Sequence, residues 1–438
     1  TSWRAMAPLR WFSSRLRGLA PEAPAVPGPL RPEDWLDKPD AALAPGQGRS
    51  NAPLPGGKAG KIVFFTICSR NFMAFARTLH QSLLRFYPGI HFHVALCDDR
   101  ADSPPFVAAQ EKFDFIYLDE LGIPDWREMS QRYNVTEFNT AIKPFVFQHL
   151  FQSTNADHVV YFDPDIYVVD HLTEIEAAFG AGADVILTPH MLEPNERAEM
   201  NERRLLQYGI YNLGFLGVSR TPKALEIMAW WARRLEHECI IKRDEGLFVD
   251  QKWADHFPAF FDSPAILHHP GYNLAYWNLS NRKVTWRGQG WWANDKPLRF
   301  VHFSGNDLDN PKLLSRHSGE HRADTIGELK ALLDEYRDAV FANGHHDFRR
   351  IPYAFSWNGA SGVNEHTPRP DGGSEPEQAL APATPARSGT TQVEMLRTAI
   401  DIAGGPGKLI GKAARAISRG DVGVIRERIA LVRDRAQG

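Results

Sequence analysis

Cysteine is scarce in this 438-residue chain. There are three, Cys68, Cys97 and Cys239, an odd number with no C-x-x-C pair. That count argues against a disulfide framework and against a zinc site, and it favours a reducing compartment. Long apolar runs are lacking too: no stretch approaches the ~20 apolar residues of a membrane span. Nor does one charge dominate. The 50 Lys and Arg stand against 53 Asp and Glu, leaving −3 at pH 7. Such a balance offers no bulk electrostatic case for binding nucleic acid. What remains is ordinary globular composition, 43% hydrophobic and 24% charged, with length for two or three domains. Asn134-Val-Thr and Asn278-Leu-Ser match the glycosylation sequon, which means little without evidence of secretion.

Proline and glycine divide the chain. Residues 1–20 carry four arginines and no acid among Trp3, Met6, Leu9, Trp11, Phe12, Leu16 and Leu19. Three readings stay open: a segment for an anionic membrane surface, a transit peptide, or a terminal helix packed on the body. Residues 21–60 are rich in Pro, Ala and Gly and read as a flexible linker. The globular domain is expected over 61–355, followed by a second linker over 356–392. The tail 393–438 resumes a weak helical period. From 391 to the end, nine Lys/Arg minus five Asp/Glu leave +4. This helical tail is either a docking element for a membrane or an adjacent domain, or a solvated hairpin.

Inside 61–355, apolar runs alternate with helical periods. IVFFTIC (62–68) is a compact buried strand, and Phe72 to Phe86 has helical spacing. Further strands are expected at 92–99, 113–121 and 183–190, with a helix in 133–151 that Pro144 interrupts. Residues 224–238 form an amphipathic helix, 297–307 hold a strand ending at His302, and 326–341 form a closing helix. The charged segment 191–204 reads as an exposed helix or flap. A β-α-β alternation of this kind predicts an α/β fold with a mostly parallel sheet and right-handed crossovers.

The stretch around which this organises is HVVYFDPDIYVV, residues 158–169. Its first half has the apolar, β-branched and aromatic character of a strand buried on both faces. Pro164 lacks the N–H that a central strand needs, so the strand should stop there. Asp163 and Asp165 are thereby delivered to the carboxyl end of a buried strand, where open α/β sheets place their ligand crevice. Two like charges one residue apart call for a cation. A hard divalent ion such as Mg²⁺ or Mn²⁺ would suit them and still accept phosphate oxygens.

YFDPDIYVVD, YNLGFLGV, FVDQKW and VHFSG, in that order, resemble the retaining family 8 glycosyltransferases and their bacterial relatives, over roughly 61–345. The resemblance implies a GT-A (Rossmann-like) fold, Mn²⁺ or Mg²⁺, and a nucleotide-diphosphate-sugar donor, most simply a UDP-hexose. It implies a glycan or glycolipid acceptor in bacterial surface polysaccharide synthesis, in the cytoplasm or at the inner face of the membrane. NVTEFNTAIKP and PGYNLAYWNL look closer to a bacterial subgroup whose members often occur as modules of larger glycan-building proteins. By this resemblance Asp163, Asp165 and His302 hold the metal, and Asp250 and Gln251 lie under the donor sugar as the catalytic pair. Thr66, Cys68 and Asn71 fall where the nucleoside binds. Lys143 falls near a basic residue that meets phosphate or sugar, Asn212 and Gly214 at an Asn-Ala-Gly position, and Gly305 where a backbone N–H approaches the diphosphate. Lys312 is a further candidate for phosphate charge.

Tyr272, Trp277, Trp291 and Trp292 are expected on the acceptor side, stacking on sugar faces while Asn273 and Asn278 bond hydroxyls. Two alternatives stand beside this reading. One is a sugar-1-phosphate nucleotidyltransferase, which usually carries a Gly-rich basic loop that TICSRNF does not supply. The other is a non-catalytic glycan-binding or docking module.

Overall fold

The computed structural model describes residues 60–355. The basic N-terminal segment, both linkers apart from Gly60, and the C-terminal tail lie outside the described residues. A seven-stranded sheet forms the centre. Its labelled strands are β1 (Ile62–Cys68), β2 (His91–Leu96), β3 (Asp114–Tyr117), β4 (His158–Phe162), β6 (Val185–Leu187) and β7 (Phe215–Ser219). The order across the sheet is Pro264–Ile266, β6, β7, β4, β1, β2, β3. β7 runs against β4 and β6, and the other pairings are parallel. The expected α/β fold with a mostly parallel sheet is the one observed.

The unbroken apolar run of β1 follows from its place. Val63, Phe65 and Ile67 enter the core on one face and Phe64 and Cys68 the core on the other. A strand covered on both sides has no polar face to show. Helices α1 (Met73–Leu84) and, late in the chain, Leu329–Ala342 pack on the core that holds Phe64 and Cys68. Helices α2 (Lys143–Ser153) and α3 (Pro222–Glu238) pack on the core that holds Val63, Phe65 and Ile67. The expected interrupted helix resolves into two, Val135–Ala141 and α2. Asn134 and Glu137 cap the first reciprocally, which satisfies two backbone donors at once. Pro144 stands in the first turn of the second, where its missing N–H is no loss. Among the described residues no helix is long and apolar enough to cross a membrane.

β4 does stop before Pro164. The next strand, β5 (Ile166–Val168), leaves the main sheet and pairs antiparallel with Phe300–His302. Ile166 lies opposite His302 and Val168 opposite Phe300. A two-stranded ribbon thus carries His302 back to the Asp163-Pro164-Asp165 turn. Arg299 anchors this ribbon from its near end. The guanidinium donates to both carboxylate oxygens of Glu174 at 2.9 Å, to Asp170 Oδ2 at 2.6 Å and to Thr173 Oγ1 at 2.7 Å. The Tyr272 hydroxyl adds a bond to Glu174 Oε2 at 2.9 Å.

Burial alone would raise the Glu174 carboxyl. The bonds from Arg299 and Tyr272 outweigh it and hold the group down to about 2. A depressed carboxyl stabilises the fold above its unfolded value of about 4.3 and loses that contribution as pH falls through the folded value. Wild type should therefore exceed Glu174→Gln in unfolding free energy above about pH 5, and the gap should close by about pH 2. Urea titrations across that window check this, and a gap that persists in acid would contradict the ion-pair account.

Candidate functional site

The site grows from the end of β4. The turn exposes two carboxylates side by side, and the ribbon register brings an imidazole to them. His302 Nε2 lies 3.1 Å from Asp165 Oδ1 and 3.5 Å from Asp163 Oδ2. The three potential ligand atoms all lie within 4.8 Å of one another. The histidine is buried, at 3% side-chain exposure, whereas Asp163 and Asp165 keep 30% and 23% open. The site therefore has a closed floor and a wet mouth.

Its floor decides the tautomer. His302 Nδ1 lies 3.2 Å from Asn212 Oδ1 and 3.2 Å from Asn273 Oδ1. Two acceptors on one side make Nδ1 the protonated nitrogen. Nε2 then turns a lone pair toward two carboxylates. Such a face needs positive charge, either a proton on Nε2 or a cation among the three groups. Burial lowers the proton affinity of His302, and Asp165, then Asp163, overcome it, so its pKa is raised. Asp163 is raised by burial and by Asp165 against the pull of Lys143 and His302. Asp165 is lowered, because His302 outweighs burial and His317 adds to it. Two carboxylate oxygens and one imidazole nitrogen also form a donor set for Mn²⁺ or Mg²⁺. The residues present fit the ion that the sequence implies.

Gly214 gives this imidazole its space. A Cβ there would lie 2.3 Å from His302 Cε1 and 2.6 Å from Nδ1. Its carbonyl accepts from the Asp163 N–H at 2.7 Å, which ties the turn to β7. The Tyr161 hydroxyl donates to Asp163 Oδ1 from below.

Beside the acids lies a second group. Lys143, at the start of α2, sends its ammonium 2.5 Å from Asp250 Oδ2 and 2.9 Å from the Leu213 carbonyl. Both side chains are buried, 1% and 2% exposed. Burial raises the Asp250 carboxyl, with Lys143 opposing it. Gln251 Oε1 accepts from Leu213 N at 3.1 Å and Asn212 Nδ2 at 3.3 Å, while Nε2 donates to the Tyr208 carbonyl at 2.9 Å. Asn212 thereby joins the two halves: its Oδ1 faces His302 and its Nδ2 faces Gln251. Val249, just before the pair, takes φ of +41°, uncommon for a β-branched residue. Asp250-Gln251 thus leaves a tight turn and precedes the short helix Lys252–His256.

The other expected residues are placed unevenly. Thr66 and Cys68 lie inside β1, 0% and 2% exposed. Burial pushes the Cys68 thiol up, and its side chain belongs to the apolar core. Asn71 alone of the nucleoside trio is half-buried, its Oδ1 accepting from Ser69 Oγ at 2.5 Å. Lys143 is engaged by Asp250 rather than open to phosphate. On the acceptor side Tyr272, Trp277 and Asn278 are buried, so they offer no surface to a glycan. Tyr272 bonds Glu174, the Trp277 ring meets His302 edge-on at 5.2 Å, and Asn278 donates to the carbonyls of His190 and Asn273. Asn273 is wholly buried beneath His302, with φ of +51°. Trp291 and Trp292 remain half-buried on a hairpin whose neighbour Trp286 is exposed.

Sequence reading gave three contributors no such role: Tyr161, whose hydroxyl lies under Asp163, Tyr208, whose carbonyl takes the Gln251 amide, and Asn273, expected at an acceptor hydroxyl but placed under His302. Only Asn273 carries a local signal, since asparagine after Pro-Gly-Tyr is a residue that tolerates positive φ.

No family model matches the chain. The "Uncharacterized protein YfnD" of Bacillus subtilis (strain 168) is 25% identical over 256 residues, covering 57% of this chain and 79% of that protein. Among solved structures, galactosyltransferase LgtC with donor and acceptor sugar analogs is similar at 14% identity and TM-score 0.39, covering 64% of this chain and 95% of that one. Mouse xyloside xylosyltransferase 1 is similar at 13% and 0.34, covering 55% and 97%.

Removing one partner of a buried ion pair strands the other. Lys143→Met should cost about 3–5 kcal/mol of stability, and Lys143→Met with Asp250→Leu should recover most of it. Denaturant titration of the single and double variants reads this. A single variant as stable as wild type would mean that the two groups are not paired.

Proposed function

We propose that this chain is a divalent-cation-dependent glycosyltransferase that takes a hexose from a nucleotide-diphosphate sugar, most simply a UDP-hexose, with retention of configuration. The acceptor is a glycan or glycolipid of a bacterial surface polysaccharide. The observation that carries the reading is the convergence, at the carboxyl end of β4, of Asp163, Asp165 and His302 with Asp250 and Gln251 alongside. When bound at the first three residues, Mn²⁺ or Mg²⁺ would neutralise charge on the leaving diphosphate. Three of the four motifs of the resemblance supply the same five residues in chain order, and the fourth supplies Asn212 and Gly214 between them.

The chain's own residues argue for retention. An inverting enzyme needs a carboxylate base to deprotonate the acceptor hydroxyl in line. Asp250 is buried and tied to Lys143, so it is not open to collect an acceptor proton. Gln251 is a neutral amide, a poor base. Its carbonyl oxygen already accepts two N–H groups, which draws density away from it and disfavours covalent attack. Its dipole can still stabilise positive charge developing at the anomeric carbon. The departing phosphate oxygen is then the base on the acceptor's face, and the product keeps the donor's configuration.

An α-linked UDP-sugar should therefore give an α-linked product, read by proton NMR of the first product. Gln251→Ala should lower kcat at least ten-fold more than it weakens donor binding, because the contact strengthens in the transition state. A β product would defeat the retaining mechanism. A wild-type protein that neither transfers nor hydrolyses any of the UDP-, GDP- or CDP-sugars tried with Mn²⁺ would defeat the enzyme reading.

A further inference from the structure

Backbone groups have a fixed polarity, so they decide the orientation of every polar side chain they touch. Residues 208–214 decide three in this way. Gly214 N donates to Asn212 Oδ1 at 3.1 Å, so the far end of that amide is Nδ2. Leu213 N donates to Gln251 Oε1 at 3.1 Å, and the Tyr208 carbonyl accepts from Gln251 Nε2 at 2.9 Å. Gln251 therefore turns its oxygen toward Asn212. The Ile210 carbonyl lies 3.2 Å from His190 Nδ1 and can only accept. The His190 proton is thus on Nδ1 and its lone pair on Nε2.

His190 lies just past β6, at the opposite end of the Asn212 amide from His302. Asn212 Nδ2 carries two hydrogens and meets two acceptors, His190 Nε2 and Gln251 Oε1, each at 3.3 Å. Its Oδ1 faces Asn273 Nδ2 at 3.0 Å and His302 Nδ1 at 3.2 Å. His190, Asn212, Gln251 and His302 are all buried, and an N–H that loses its acceptor in such a place is left unpaired. The His190 ring is well held. Its own backbone N–H donates to the same Ile210 carbonyl at 2.9 Å, and Trp277 meets it edge-on at 5.3 Å. Burial pushes the imidazole down to about 4, so at neutral pH it is uncharged and Nε2 stays an acceptor.

We propose that His190 is a positioning residue for the transfer centre: its Nε2 lone pair holds the Asn212 amide so that one N–H is aimed at the Gln251 carbonyl and the oxygen at His302. The inference rests on the glycosyl-transfer reading above, in which Gln251 lies under the donor sugar. A carbonyl that accepts from two N–H groups is fixed in direction, and direction is what lets its dipole act on a developing charge. Without His190, one Asn212 hydrogen has no partner, the amide is free to turn, and the Gln251 bond weakens with it.

The first test needs no substrate. Histidines of the full chain are labelled with ¹⁵N, the His190 signals are assigned by their loss in His190→Gln, and NMR reads the tautomer at neutral pH. The expected result is a proton on Nδ1 and none on Nε2; a proton on Nε2 would overturn the proposal. The second test compares two substitutions. His190→Asn places an N–H near the Nδ1 position, for Ile210, and nothing at the Nε2 position. His190→Gln places a carbonyl oxygen near the Nε2 position, for Asn212. The probe is whichever of the UDP-, GDP- and CDP-hexoses the wild type hydrolyses with Mn²⁺. His190→Asn should lower kcat about ten-fold, the worth of one buried hydrogen bond, with KM within about three-fold. His190→Gln should recover most of the loss. The reverse order would make His190 a structural tie to Ile210 and overturn the proposal, as would wild-type kcat in His190→Asn. A wild type that turns over none of these sugars, with the proton found on Nδ1, would instead defeat the underlying reading, which keeps the two failures apart.

Discussion

The structure depends on one electrostatic constraint: a buried imidazole nitrogen faces two carboxylates. His302 Nε2 lies 3.1 Å and 3.5 Å from them, and the amide oxygens of Asn212 and Asn273 claim its other nitrogen. Lone pairs so arranged repel unless positive charge lies among them. Much of the surrounding fold serves to keep them there. Pro164 ends β4, the ribbon of β5 with Phe300–His302 sets the register, and Arg299 clamps that ribbon to Glu174 and Asp170. Gly214 leaves room for the ring. These features would be a costly way to build a core. They are what the proposed cation site requires.

The second constraint is the buried pair Lys143–Asp250. It costs desolvation and is weak as a device for stability. It does fix a carboxylate beside Asp163, Asp165 and His302, in a neutral pair that adds no net charge there. Asn212 then links the two halves through a single amide. A change at Asn212 would therefore reach both His302 and Gln251, which makes it a positioning residue rather than a bystander.

The large features were legible from residues alone. Apolar runs marked the buried strands, and Pro164 marked the end of β4 with Asp163 and Asp165 side by side at its carboxyl end. His302 was found by its motif, since nothing local distinguishes it. The ribbon that delivers it is a non-local pairing of two three-residue strands, too short to carry a period. Two of the four expected acceptor aromatics, Tyr272 and Trp277, are buried instead, for a physical reason. Tyr272 and Trp277 have polar atoms and large apolar bodies, a combination that suits a sugar face and a buried scaffold equally well. Cys68 misled in a similar way, because its position in a strand buried on both faces decides its role before its chemistry does.

The most direct test of the cation socket is electron paramagnetic resonance of Mn²⁺ bound to the full chain, with histidine nitrogens labelled as ¹⁵N. The account predicts hyperfine coupling to one imidazole nitrogen, abolished in His302→Gln, and loss of bound Mn²⁺ in Asp165→Ala while the fold is retained. Bound Mn²⁺ with no nitrogen coupling in the wild type, or a coupling that survives in His302→Gln, would contradict it.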